Sequence, residues 1–212
     1  ERAGHRRTGS EAPLRDIRGV SVSRDVFEEY AEDYDRWFDE HHDEYLAELS
    51  RIMKVLPAPN SRSVEVGVGS GRFAAPLGIG LGIEPSRALG RMARQRGIEV
   101  VRGLAEALPL RDGSCSSILM VTVICFLEDP VPAFRELHRI LVSAGFLTLA
   151  FIEDRGSIHQ RYLREGGKGR FLSRARFYSQ EEVCALLEGT GFTVTEVDAR
   201  AGFCVIRVQR DY

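Results

Sequence analysis

Residues 64–72 read "VEVGVGSGR". A β-branched apolar run that gives way to closely spaced glycines predicts a strand ending in a tight turn, the usual seat of a nucleotide in an α/β sheet. Gly67, Gly69 and Gly71 fall at alternate positions, so the spacing is G-x-G-x-G. A dinucleotide fingerprint needs G-x-G-x-x-G, its third glycine letting helix and strand pack closely beside a pyrophosphate. Here that third position is Arg72. An acid, Glu65, also precedes the turn. A carboxylate repels a pyrophosphate and attracts an ammonium or a sulfonium. The turn therefore reads as a seat for a ligand with positive charge and no phosphate.

Working outward, the chain alternates strands and helices. "SVEVG" is a strand and "SGRFAAPLG" a short helix. "LGIEP" is a strand, and "SRALGRMARQRG" a helix with a Ser cap and a Gly stop. "IEVVRG" is a strand. "SSILMVTVICF" suits a strand buried on both faces, "DPVPAFRELHRILVSAG" a helix with an Asp at its start and a Gly, Gly145, after its end, and "FLTLAFI" a strand. Residues 153–178 read as irregular and basic, with "REGGKGR" as a solvated loop. "SQEEVCALLEGTG" opens on a capping box, Ser179 to Glu182. "FTVTEVDA" and "FCVIRVQ" flank a short turn and predict an antiparallel pair. Such alternation implies an α/β fold, a mostly parallel sheet with helices on both faces, whose ligands bind past the carboxyl ends of the strands where strand order reverses. The first strand is the natural switch point. Glu84 ends the second strand, where an acid accepts both hydroxyls of a ribose. "GLAEALPL" (103–110) follows the third, where a base would lie across apolar side chains.

Ahead of the sheet, residues 1–24 read as a polar, flexible arm. From residue 25 onward Phe27, Tyr30, Tyr34, Trp37 and Phe38 recur at helical spacing, and Tyr45, Leu46, Leu49, Ile52 and Met53 continue the stripe after a break near His41 to Asp43. The expected organisation is a single domain over 25–212: a helical cap (25–56), a binding core (62–152), an acceptor-side segment (153–178) and a final helix and hairpin (179–212).

The formal charge is −2 over 212 residues, which offers no phosphate-tracking surface and speaks against nucleic acid. No apolar run approaches the ~20 residues of a membrane span, and no leader pattern is present. Cys115, Cys125, Cys184 and Cys204 form no C-x-x-C pair and read as small buried hydrophobes of a reducing, cytoplasmic protein. The adjacent histidines of "HHDE" (41–44) point to different helix faces and suggest no metal site. The partner implied is a small molecule; oligomeric state is not legible.

Five segments taken in register resemble the class I S-adenosylmethionine-dependent methyltransferases, and within them the small-molecule group that includes the ubiquinone and menaquinone methyltransferases. These are "VEVGVGSGRF", "GIEPS", "GLAEALPL", "FLEDPVPAFRELHRILVSAGFLTLAF" and the N-terminal "AEDYDRWF". The resemblance implies a Rossmann-like, seven-stranded, mostly parallel sheet with a C-terminal antiparallel hairpin, and S-adenosylmethionine as cofactor. Carried onto this sequence, it assigns cofactor contacts to Glu65, Gly67, Gly69, Gly71, Glu84, Pro85, Ser86, Ala105, Glu106, Val121 and Thr122, with Tyr34 on the amino-acid carboxylate. Where relatives place an adenine-binding acid this chain has Leu104, leaving that bond to Glu106 or to backbone. Tyr30, Trp37, Phe126 and His159 are the acceptor-pocket candidates, with His159 a candidate base. A sulfonium methyl is already activated, so a transferase can work by positioning alone and needs a base only for acceptors that must lose a proton. Two alternatives stay open: a non-catalytic module that binds the cofactor, and an NAD or nucleotide-sugar enzyme.

Overall fold

A computed structural model describes residues 25–164, 171–172 and 175–212. The expected arm (1–24) and most of the "REGGKGR" loop (165–170) lie outside the described residues. Seven strands form one sheet: β1 Ser63–Val66, β2 Leu81–Ile83, β3 Glu99–Val101, β4 Cys115–Val121, β5 Leu141–Ile152, β6 Phe192–Arg200 and β7 Phe203–Arg210. Their order is β3-β2-β1-β4-β5-β7-β6. The first five run parallel, and β7 is antiparallel to both β5 and β6. Strand order reverses at β1, which carries the glycine turn at its carboxyl end.

The helices are α1 Asp25–Glu29, α2 Ala31–Glu40, α3 His42–Val55, α4 Ala74–Leu77, α5 Arg87–Gln95, α6 Pro130–Ile140, α7 Ser157–Arg164 and α8 Gln180–Glu188. Successive residues of β4 supply both layers of core. Ile118 and Met120 pack with Phe134 and Leu137 of α6, while Leu119 and Val121 pack with Ile52 and Val55 of α3. That two-sided burial is why the β4 segment is apolar without alternation.

Four expectations about the elements need correction. First, only α1 and α2 stand as a cap. α3 is a layer of the core, with Ile52 fully buried, and Arg51 fastens it to the hairpin through both carboxylate oxygens of Asp198 and the Phe203 carbonyl at 2.7 Å. Leu46 and Met53 lie on its exposed side (43% and 56% exposed), because its buried stripe is Tyr45, Leu49, Ile52 and Val55. Second, α6 ends at Ile140 and does not continue to the residue before Gly145. Leu141 turns extended and pairs with Cys115, and the next pair is Phe146 with Ser117, so β5 bulges between them. Side chains of β7 hold that bulge: Arg210 donates to the Leu141 carbonyl and Gln209 to that of Ala144. Third, the long strand stops at Val121. Thr122 adopts φ +51, and Ile124–Phe126 form a 3-10 turn beyond it. Cys125, expected in a strand, is buried in that turn, and Cys184 is only partly buried. Fourth, the segment after β5 is not wholly irregular, since α7 occupies its first half.

Ile52→Ala removes a fully buried side chain between α3 and the sheet. The expected loss of stability is ~2–5 kcal/mol, read by urea denaturation. A loss below about 1 kcal/mol would place α3 outside the core.

Candidate active site

The site is built on the carboxyl ends of β1, β2 and β4. Gly67 leaves β1 at φ +75, and a Cβ there would lie 2.2 Å from the Val123 side chain. Gly69 follows at φ +55, with the Tyr34 hydroxyl 3.3 Å from where its Cβ would stand. Both positions require glycine for conformation and for close approach of the loops above. Gly71 does not line the cavity. Its missing side chain lets the turn press on Ile98 and Ala93 of the α5 region, so its role is packing.

Glu84, at the end of β2, accepts the N–H of Gly69 at 2.8 Å and that of Ser86 at 2.9 Å. Burial is the larger influence on it and outweighs both hydrogen bonds, pushing its carboxyl up to about 7. Ser86 caps α5 and donates to Glu28, so it acts on the helix rather than inside the main cavity. Glu65 is 1% exposed and does not line the cavity. Burial raises its carboxyl well above the usual range, and its one described hydrogen bond is with the backbone of Ala74 at the start of α4. The "GLAEALPL" loop is held from below by α6: Glu136 accepts from Leu108 N–H at 2.8 Å, and Arg139 donates to the carbonyls of Leu108 and Leu110. This presents Ala105 and Glu106 to the cavity beside Glu84 and Pro85.

Arg72, the residue that breaks the dinucleotide pattern, clamps the cap. It donates to Asp35 at 2.8 and 2.9 Å and to Asp39 at 2.7 and 2.8 Å, one turn apart on α2. Arg96 adds a bond to Asp35 at 2.8 Å and another to the Ser70 carbonyl. Burial pushes Asp35 up, but the two guanidinium groups more than offset that and hold it well below the usual carboxylate range. The clamp sets Tyr34 over Gly69, where burial and then the Glu84 and Glu65 carboxylates raise its phenol.

Between cap and sheet lies a cavity of about 660 Å³, within the size range of small-ligand sites. Its wall includes Gly67, Gly69, Glu84, Pro85, Ala105 and Glu106 on one side, with Val121 and Thr122 on its floor. Trp37, Phe126 and His159 line the other part. Tyr30 does not: it sits at the N-cap of α2, and Phe27, earlier on the same face, lines the cavity instead, its ring 5.0 Å from Phe126 and 5.5 Å from Tyr34. Trp37 faces the cavity and stacks on His41, while its neighbour Phe38 is the buried one. His159 is 9% exposed and stacks on Phe177 at 4.0 Å. Its Nδ1 accepts from Arg155 N–H at 3.0 Å and lies 3.1 Å from Asp154 Oδ1. Nδ1 thus meets a backbone donor and a carboxylate acceptor at once, so both described polar contacts of the ring are made through this nitrogen.

The residues fit a sulfonium nucleoside. The turn offers bare backbone, the Glu84 carboxylate stands beside it at the end of β2, and the cation lining the cavity among the described residues, Arg161, is taken up by Glu44 at 2.6 Å. Sequence reasoning missed Phe27, Phe177, the Asp35–Arg72–Arg96 clamp and the Glu44–Glu48–Arg161 group. The acids at i and i+4 (Asp35 with Asp39, Glu44 with Glu48) were the available signal.

A methyltransferase-domain family model matches residues 64–149. A Methanocaldococcus jannaschii protein of uncharacterised activity is 35% identical over 167 residues, 79% of this chain and 80% of its own length. A Mycobacterium tuberculosis protein, also uncharacterised, is 34% identical across 76% of this chain, which spans 58% of that longer protein. The crystal structure of a Thermotoga maritima SAM-dependent methyltransferase, described as a possible histamine N-methyltransferase, superposes with a TM-score of 0.81 at 37% identity, covering 88% of this chain and 99% of that one.

Glu84→Gln is expected to weaken S-adenosylhomocysteine binding by about 10- to 100-fold, since hydrogen bonds to a charged group are worth ~1.5–3 kcal/mol. With its carboxyl raised to about 7, Glu84 is a weaker acceptor when protonated, so affinity should rise between roughly pH 6 and pH 8, and Glu84→Gln should flatten that rise. The same shift makes Glu84's own contribution to unliganded stability largest at acid pH, and that contribution fades as pH climbs through about 7. Isothermal calorimetry across pH checks the first part; an affinity unchanged in the folded variant would remove Glu84 from the site.

Proposed function

This chain belongs to the S-adenosylmethionine-dependent methyltransferases, and from that premise we propose that it transfers a methyl group to a small organic acceptor by in-line displacement. The observation that supports this most is the pairing of the Glu84 carboxylate with the Gly69 turn in a cavity whose wall also carries the aromatic rings of Phe27, Trp37 and Phe126. The carboxylate and turn suit a nucleoside, and the rings suit an acceptor.

When bound, S-adenosylmethionine supplies an activated methyl on a sulfonium. The chain's residues bind, orient and exclude water. Glu84 accepts the ribose hydroxyls, the Gly67–Gly69 backbone borders the amino-acid portion, and Ala105 and Glu106 flank the base. Tyr34 stands over Gly69, where its hydroxyl can donate to the amino-acid carboxylate. Phe126 and Trp37 close the acceptor side. Because positioning alone supplies on the order of 7–11 kcal/mol in a well-aligned displacement, the absence of a base from the assigned residues does not argue against transfer.

Trp37 is the sole tryptophan of the sequence and lines the cavity. Its emission should shift saturably with S-adenosylhomocysteine, and Gly69→Val should abolish the shift while leaving far-UV circular dichroism unchanged. Incubation with S-adenosylmethionine and a panel of amine, hydroxyl and carboxyl acceptors should release S-adenosylhomocysteine with at least one of them. Saturable binding without release across the whole panel would make the chain a binding module instead.

A further inference from the structure

The part of the cavity farthest from Glu84 in chemistry is bounded by α3 and α7. His41, the N-cap of α3, and Glu44 and Glu48 within it follow at spacings of three and four, and all three line the cavity. Opposite them, α7 contributes Ile158, His159, Arg161 and Tyr162. Arg161 holds Glu44 with both carboxylate oxygens, at 2.6 and 2.9 Å. That leaves Glu48, which receives no hydrogen bond or ion pair from the described residues. The charges that act on it are those of Glu44, Arg51 and Arg161. Arg51 is committed to Asp198 and the Phe203 carbonyl, and Arg161 to Glu44. Tyr34, over the glycine turn, instead feels Glu84, Glu65 and Asp35. Glu48 is thus grouped with the acceptor chamber and not with the cofactor end.

We propose that the acceptor is a small amine, and that Glu48 is the residue that receives its nitrogen. This rests on the methyltransferase reading above and names its substrate class. A part-buried carboxylate with no partner is costly unless a cation or a hydrogen-bond donor comes to it. The surrounding wall, with Trp37, Phe126, Tyr162 and Phe177, suits a flat or alkyl body and is favourable to a nearby cation through the ring faces. A carboxylate acceptor would find no counter-charge at Glu48 in either protonation state, and among the described lining residues Arg161 is already spent on Glu44.

The same residue handles the proton. An amine enters chiefly as an ammonium, whose nitrogen has no free electron pair. The Glu48 carboxylate takes one proton from it, giving a neutral amine and a carboxylic acid. The nitrogen pair then forms the N–C bond to the methyl carbon as the C–S bond breaks, and the electrons of that bond stay on sulfur, which becomes a neutral thioether. The product nitrogen carries the positive charge, and Glu48 returns its proton to water at the mouth beside the exposed His41. In water a carboxylate is far too weak a base for this exchange. Burial, and then the adjacent Glu44 carboxylate, push Glu48 up to about 8, which narrows the gap.

The test is equilibrium binding to the S-adenosylhomocysteine-saturated full chain, read by calorimetry and by Trp37 emission. The probes are phenethylamine, 2-phenylethanol and phenylacetate, which share a ring and differ in the polar end. The amine should bind at least tenfold more tightly than the alcohol or the acid. Glu48→Gln should erase that preference while leaving S-adenosylhomocysteine affinity within about twofold, which also shows that the variant is folded. Glu44→Gln, which removes the carboxylate that Arg161 holds with two hydrogen bonds, should raise the affinity for phenylacetate. The proposal is overturned if the amine does not bind, if the acid binds as well as the amine, or if Glu48→Gln keeps the preference. Failure of S-adenosylhomocysteine itself to bind would instead sink the methyltransferase reading, so the two failures are separable.

Discussion

The carboxylate of Glu84 accepts two backbone N–H groups, from Gly69 and from Ser86, and so ties the end of β2 to the turn that leaves β1. Burial without those donors would be prohibitive for the anion, and even with them the carboxyl remains raised to about 7. The group is thus held ready for stronger donors than amides. The glycine turn, the capping of α5 by Ser86 and the placement of Tyr34 are arranged around this one buried acid. A phosphate brought to the same place would meet negative charge from Glu84, and Arg161, which lines the cavity among the described residues, is held by Glu44.

Arg72 extends the same logic to the cap. In a dinucleotide site a glycine there would bring helix and strand together. Here a long cation reaches across to Asp35 and Asp39 and is joined by Arg96. The pairs nearest Asp35 are partly sheltered, with side-chain exposures of 17%, 18% and 27%, whereas Asp39 is largely in water at 63%. Exposed pairs contribute little, so the sheltered Asp35 network is what orients α2. The residue that departs from the dinucleotide pattern is the one that fastens α2 beside the glycine turn.

The parts legible in sequence were those whose chemistry is local. The glycines and Glu84 sit beside their own strands, and the Ser86 cap and the Ser179–Glu182 capping box are decided within a few residues. The parts that were not legible are made by contacts across long separations. Asp35 and Asp39 look like a solvated helix face until Arg72 and Arg96 arrive from the sheet, and Glu44 and Glu48 look the same until α7 packs opposite. Tyr30, an acceptor-pocket candidate on the aromatic stripe, stays off the cavity wall because the helix breaks at that residue into α1 and α2. The sequence "LVSAG" is compatible with the end of a helix. It becomes a bulged strand because β7 supplies Arg210 and Gln209 to its carbonyls, a case of tertiary pairing overriding local preference.

The account turns on a site that prefers a phosphate-free, cationic nucleoside to a dinucleotide. Calorimetric titration of the full chain with S-adenosylmethionine and, separately, with reduced nicotinamide dinucleotide tests that most directly. The account predicts saturable one-to-one binding of S-adenosylmethionine and no measurable heat from the dinucleotide. Saturable binding of the dinucleotide with none of S-adenosylmethionine would contradict it.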